Sequence, residues 1–262
     1  MSLELPLVLV TQKDYLESFQ AGKVFMKNCL CYQDLENDDP QRGDKYDSAI
    51  KCGYEGYNLP DWVKNEVKNP RLMNPLTYIK CFFHYQRKDI KILSNTKLLL
   101  SMSSESADEL KSFSEEYALF IGDYAEFIRR FSRACESNKL NYYYGDVSYK
   151  SEDDYLIYED KLQRALAGID LGELPHPGFI KRYKYHSQQE FRLIVGYSTN
   201  PEGTEGDNKV FSISSDGISI SRSIDFQMER IDDISTIVKL SQVADHQVML
   251  DLDKYCFYIV DA

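Results

Sequence analysis

The chain has 262 residues, 43% of them hydrophobic and 28% charged, with a formal net charge of −11 and 20 tyrosines. That composition is globular, and so acidic a chain gains little from counterion release, which excludes a nonspecific DNA or RNA binder as the first reading. The six cysteines form no C-x-x-C pair, and with only four histidines they offer no zinc spacing, so no metal is expected. No apolar run approaches the roughly 20 residues that span a bilayer, and the first residues lack a basic-then-apolar leader. The expectation is a reduced, cytoplasmic protein with no membrane partner.

In chain order, Leu5–Val10 is a continuous apolar run and reads as a buried strand. Thr11 and Asp14 form a capping-box pattern ahead of a helix over about Gln12–Gln20, which Gly22 ends; Val24–Lys27 is a second strand. Leu30–Glu36 reads as a helical turn, Asn37–Asp47 as a charged loop carrying Arg42-Gly43-Asp44, and Pro60 starts a short helix. Leu76–Phe83 is an aromatic strand, with Tyr78, Lys80, Phe82 and His84 on one face and Ile79, Cys81 and Phe83 on the other. Short strands follow at Ile90–Leu93 and Lys97–Met102, then a helix capped by Ser106 with Glu109. Tyr117–Ile121 is a strand, and Asp123–Ser137 is an amphipathic helix with its arginines outward. Tyr142–Tyr149 reads as a strand, and Ser151 with Asp154 caps a further helix. From Gln189 the pattern is almost entirely strands: Gln189–Tyr197, Lys209–Ser214, Gly217–Ser223, Phe226–Ile231, Ile234–Leu240, Val248–Leu252 and Tyr255–Val260. No repeat or long linker divides the chain. The predicted class is α+β in one domain, with mixed or mostly antiparallel sheets, short helices in the N-terminal and middle parts, and a strand-rich C-terminal part.

The sequence contains no Walker loop, G-x-G-x-x-G, G-x-S-x-G or H-E-x-x-H. The principal candidate is Gln188-Gln189-Glu190-Phe191-Arg192. Period two puts Phe191, Leu193 and Val195 on one face, and Glu190, Arg192 and Ile194 on the other. A strand carboxylate beside an amide can stabilise an oxocarbenium-like charge, although a cross-strand ion pair would use the same residues. Arg42 could clamp a phosphate or sit in a solvated turn. Tyr78 or Phe82 could stack a planar ligand or simply pack, and His84 reads equally as a hydrogen-bonded structural residue. A basic set of Lys181, Arg182, Lys184 and His186, together with Arg129, Arg130 and Arg133, could hold a diphosphate or balance surface acids.

Four segments together resemble a group of bacterial and phage proteins of unknown activity. They are G-K-V-F-M-K-N after the first helix, L-E-N-D-D-P-Q-R-G-D at Leu35–Asp44, Y-Y-Y-G-D-V-S-Y at Tyr142–Tyr149, and F-I-K-R-Y-K-Y-H-S-Q-Q-E-F-R-L-I-V at Phe179–Val195. Gln188-Gln189-Glu190 is also similar to the late [QE]-x-E of the ADP-ribosyltransferase superfamily, and Tyr78–Phe83 to its central strand, whereas Leu5–Val10 carries no Arg or His. That resemblance implies an NAD-using transferase or glycohydrolase, of the kind found among toxins and phage-defence effectors. Glu190 would stabilise the ribosyl cation, Gln188 orient the substrate, Tyr78 or Phe82 stack on nicotinamide, and Arg42 or Arg192 hold phosphate, with His84 and Lys184 nearby. Glu190→Gln is then expected to abolish NAD turnover and leave thermal unfolding near wild type. The alternative is a non-catalytic interaction module, Tyr-rich at its surface and pairing strands into a homodimer.

Overall fold

The computed structural model describes residues 5–29, 31, 77–113, 115–154, 156–158, 161, 176–196, 211–214, 217–254 and 256–260. Arg42, the early loop and the Pro60 helix lie outside the described residues. The fold is α+β with open, mostly antiparallel sheets.

The apolar run at the start forms β1 (Leu7–Val10), which is followed by α1 (Lys13–Gln20) and β2 (Lys23–Asn28). The expected Thr11–Asp14 box does not form. Gln12 is the N-cap and makes no side-chain cap bond; its carbonyl accepts from the Tyr15 and Leu16 amides instead. Gly22 does end the helix, at φ +93°, and a Cβ there would lie 2.2 Å from the Met228 carbonyl oxygen, so both conformation and space require glycine.

β3 (Thr77–His84) is the hinge of the main sheet, because it has three neighbours. Along one edge it pairs for its full length with β10 (Glu190–Gly196), which pairs in turn with β7 (Asn141–Asp146). Along the other edge the partner changes. Tyr78 and Ile79 pair with Asn28 and Lys27 of β2, and Phe83 and His84 pair with Val8 and Leu7 of β1. Among the described residues no strand pairs with Lys80–Phe82, between those pairs, on that side. β1 leaves toward β6 (Tyr117–Ile121) and β14 (Ser235–Lys239), while β2 leaves toward β13 (Ser223–Gln227). The sheet therefore forks, with β1 and β2 as parallel tines and α1 crossing between them.

Both faces of the sheet are covered, which is why β1 reads as unbroken apolar sequence. On one face Leu7, Leu9, Met26, Phe82, Phe191, Leu193 and Val195 pack against Leu16 and Phe19 of α1 and Phe127 and Phe131 of α3 (Tyr124–Ser137). Phe82 anchors this core, 5.6 Å from the Phe127 ring centroid and 6.0 Å from that of Phe19. On the other face Val8, Phe83 and Phe120 pack on α2 (Ser104–Ser112), α4 (Leu240–Ala244) and a second sheet. That sheet runs β16 (Cys256–Val260), β15 (Gln247–Asp251), β5 (Lys97–Leu100), β4 (Ile90–Ser94).

Several expected boundaries move. Ser103, not Ser106, caps α2, its hydroxyl accepting from the Ser106 amide, because one turn earlier the serine still lies in extended backbone. The Tyr142–Tyr149 run breaks at Val147 into β7 and β8 (Ser148–Lys150), and β8 pairs parallel with β9 (Ile180–Arg182). Val147 donates its amide to the Glu190 carbonyl, which turns the chain there. The Phe226–Ile231 strand is instead β13, three residues earlier, as Met228 donates back to Gly22. α4 interrupts the strand series at Leu240, where Lys239 donates its amide to Gln242 and starts a helix in place of more strand. β11 (Phe211–Ser214) and β12 (Gly217–Ile220) form a hairpin.

Candidate functional site

A cavity of about 530 Å³ opens where the sheet forks. Its apex is Lys80–Phe82 of β3, which pairs with β10 on one edge and with no strand on the other among the described residues. One wall is β1 with the start of α1, another is Phe25 and Lys27 of β2, and a third is Glu190 and Arg192 of β10 with Lys181 and Gln188. Such a volume is typical of small-molecule sites.

The Glu190 wall is an ion cluster built by two short 3-10 segments, Pro177–Phe179 and Tyr183–Gln188, on either side of β9. Gln189 follows in the left-handed region at φ +42°, unusual for a side-chain-bearing residue. It is held there by its carbonyl accepting from the His84 amide at 2.9 Å and by its buried amide side chain 3.1 Å from the Ser106 hydroxyl. This turn lets the chain enter β10 with Glu190 facing the cavity. Lys181 Nζ donates to Glu190 Oε1 at 2.5 Å and to Gln188 Oε1 at 2.6 Å. Arg192 donates through Nε to Glu190 Oε2 at 2.7 Å and through Nη1 to the Gly178 carbonyl at 2.8 Å, with Nη2 also 2.7 Å from Oε2. Gln188 Nε2 donates onward to Glu109 of α2 at 2.8 Å. A Cβ at Gly178 would lie 2.4 Å from Ile194 Cδ1, so any larger residue there requires the Ile194 side chain to move.

Arg192 is fully buried, Lys181 is 4% exposed and Glu190 8%. Burial would raise the Glu190 pKa, but the Arg192 and Lys181 charges outweigh it and hold the carboxyl at about 2. Glu190 is therefore an anion at every physiological pH and cannot serve as a proton donor. Tyr149 accepts from the Glu190 amide at 2.8 Å, and burial keeps its phenol protonated.

The sequence candidates separate into two groups. Glu190, Gln188, Arg192 and Phe82 share the cavity wall. Tyr78 and His84 do not line it. Tyr78 is fully buried in the α1/α3 core, its hydroxyl donating to the Ser221 carbonyl at 3.0 Å. His84 Nδ1 lies 2.5 Å from Asp146 Oδ1, its ring stacked on Tyr124 and edge-on to Phe191. Lys184 sits outside, its ammonium 4.6 Å from the Tyr185 ring centroid. The α3 arginines also stay apart: Arg129 and Arg130 pair with Glu126, Arg130 also with Asp233 and Arg133 with Glu229.

Four basic or polar wall residues were not singled out as site residues from sequence. Lys181 stood only within a basic set, Thr11 only as a helix cap, and Lys27 had no signal. Lys80 did have one, as a lone ammonium in the apolar run T-Y-I-K-C-F-F. The wall carries Lys27, Lys80, Lys181 and Arg192 against Glu115 and Glu190, a positive balance inside an acidic chain.

Among the described residues no group of three or more His, Cys, Asp or Glu is placed to hold a metal, and no helix is long and apolar enough to cross a membrane. No protein-family model matches the chain, and no characterised protein or solved structure matches it.

Proposed function

We propose that the protein is an NAD-using enzyme, a transferase or glycohydrolase, with its substrate in the forked cavity and the reacting ribose at Glu190. The observation that supports this reading is the placement of a permanently ionised carboxylate on the wall of a cavity whose other charges are mainly positive. The carboxylate favours the cationic ribose that develops as nicotinamide leaves, and the surrounding cations favour the diphosphate. Both Glu190 oxygens are already engaged, so a substrate hydroxyl reaches the carboxylate by taking the place of Lys181 at Oε1, with Gln188 holding the released ammonium. Phe82 supplies an apolar edge to the wall; Tyr78 and His84 take no part. No disulfide joins the cysteines among the described residues, which suits a reduced compartment.

The test is nicotinamide release from NAD by the wild-type chain, with NAD binding followed calorimetrically. Release that is lost in Glu190→Gln, assayed well below that variant's unfolding temperature, supports the reading. Neither turnover nor binding by the wild type rejects it.

A second reading has its own support in β7, an outermost strand that pairs only with β10 among the described residues and exposes Tyr143 and Tyr144 at 51% and 44%. In that reading the strand pairs with a second copy, and a monomer by light scattering at high concentration would exclude it.

A further inference from the structure

Lys80 lies at the apex of the fork, on the stretch of β3 that neither tine covers. Its ammonium is 5.3 Å from the Phe19 ring centroid, and among the described residues no carboxylate pairs with it or accepts its protons. Lys27 stands on the β2 tine, exposed, lining the same cavity and likewise without an acidic partner among the described residues. Both line one cavity, and the Lys27 charge acts on Lys80 across it. This differs from the Lys181–Arg192 wall, where both cations share Glu190.

The register pairs Lys27 with Ile79, so the two lysines approach the gap in the fork from opposite faces of the sheet. Two cations at one gap, neither with a carboxylate partner among the described residues, are stabilised by an anion bound there. A tetrahedral phosphate presents oxygens to both sides of the fork at once, and lysine binds it as a point charge from either direction. The amino end of α1, with Thr11 and Gln12 at the wall, adds its partial positive charge. We propose that Lys27 and Lys80 form an anion subsite that takes a phosphate or diphosphate group in the fork of the sheet. It rests on the cavity being a substrate site, but not on NAD being that substrate.

The apolar setting and the nearby Lys27 give the subsite a proton signature. Desolvation by burial lowers the Lys80 pKa to about 8; Cys81 opposes it, and Lys27 adds a smaller lowering effect. The other charges at the wall are Glu115 and the Lys181–Glu190–Arg192 cluster, with the Tyr15 phenol on α1. An anion between the lysines raises the Lys80 pKa again, so binding above pH 8 takes up a proton and binding at pH 6.5 does not.

The experiment is calorimetric titration of inorganic pyrophosphate into the full chain at pH 6.5 and 8.5, in pairs of buffers with different ionisation enthalpies. Wild type is expected to bind one pyrophosphate and, at pH 8.5 but not at pH 6.5, to take up more protons than Lys80→Met, in which only the ligand's own ionisation remains. Lys80→Met should also weaken binding at least about tenfold, and Lys27→Gln should weaken it similarly. Lys23→Gln, on β2 but not at the cavity wall, should bind as wild type. Absence of pyrophosphate binding, wild-type affinity in Lys80→Met, or equal weakening in Lys23→Gln overturns the subsite. Pyrophosphate binding as expected, with no NAD binding or turnover, retains the subsite and removes NAD. NAD turnover with wild-type KM in both Lys27→Gln and Lys80→Met removes the subsite and retains NAD.

Discussion

Replacing Glu190 by glutamine preserves shape and removes one charge, yet it is expected to be among the most destabilising single changes in the chain. Arg192 is fully buried and commits Nε and Nη2 to Glu190 Oε2, both at 2.7 Å; Lys181, 4% exposed, commits its ammonium to Oε1 at 2.5 Å. A glutamine amide can present oxygen to one of these donors only, and its NH₂ then faces the other donor-to-donor. Two buried cations lose their counter-charge together. Breaking a buried pair by removing one partner costs about 3–5 kcal/mol. At this chain length each kcal/mol lowers the unfolding temperature by roughly 2 °C, so Glu190→Gln should unfold about 6–10 °C below wild type. The sequence-based expectation of near-wild-type unfolding is thereby replaced, because it treated Glu190 as a half-exposed strand residue. Scanning calorimetry at pH 7 measures the shift. Adding Lys181→Met to Glu190→Gln should recover a large part of it, since one of the two stranded cations is then gone. A Glu190→Gln shift of less than about 1 °C would refute the account of a buried, mutually dependent ion cluster.

Two further outcomes follow from the same groups. The folded-state pKa of Glu190 is about 2 against an ordinary 4.5, so its contribution is present in full above pH 4.5 and is lost as pH falls from 4.5 toward 2. Urea unfolding across that window should fall more steeply for wild type than for a Lys181→Met/Glu190→Leu/Arg192→Met variant, and parallel curves would exclude the carboxylate as the cause. Lys80 has the opposite sense for stability: its folded pKa of about 8 lies below the ordinary 10.5, so the unfolded chain binds the extra proton between these values and stability rises with pH across them. Lys80→Met should therefore unfold at equal or higher urea than wild type at pH 7, by up to about 1–2 kcal/mol after allowing for solvent reaching the amine through the cavity, and a loss of more than about 1 kcal/mol would contradict it.

Local periodicity carried much of the fold. The alternation Phe191, Leu193, Val195 against Glu190, Arg192, Ile194 is the alternation found between the α1/α3 core and the cavity face, and the apolar spacing of Tyr124–Ser137 is the helix that covers that core. Gly22 was legible because one residue type satisfies its backbone. What periodicity cannot contain is the identity of a strand's neighbours. β3 reads as one uniform aromatic strand, yet its partner on one edge changes from β2 to β1 within four residues, and that change creates the cavity. Tyr78 and Phe82 are equivalent by alternation, and only the fork places Phe82 at the wall while Tyr78 stays buried. The pairing of Lys181 with Glu190 depends on 3-10 turns of segments that look like polar loop, and on Gln189 at a φ that no sequence rule assigns to glutamine.

The charge distribution decides how a ligand would be selected. At −11 overall, the exterior repels an anion at distances up to a Debye length, about 8 Å at physiological ionic strength, so long-range steering does not bring a phosphate to this site. Selection has to be local, within the fork, where Lys27 and Lys80 stand without acidic partners among the described residues and where the low-dielectric walls of β1, β2 and Phe19 strengthen each contact. Salt screens the acidic exterior more than it screens a half-buried lysine. Entry of an anion is therefore hindered less as ionic strength rises, the reverse of a site that draws its ligand by a basic surface. An exterior that discourages anions in general, around a cavity that rewards one placed between two particular ammonium groups, favours affinity through geometry over affinity through charge alone.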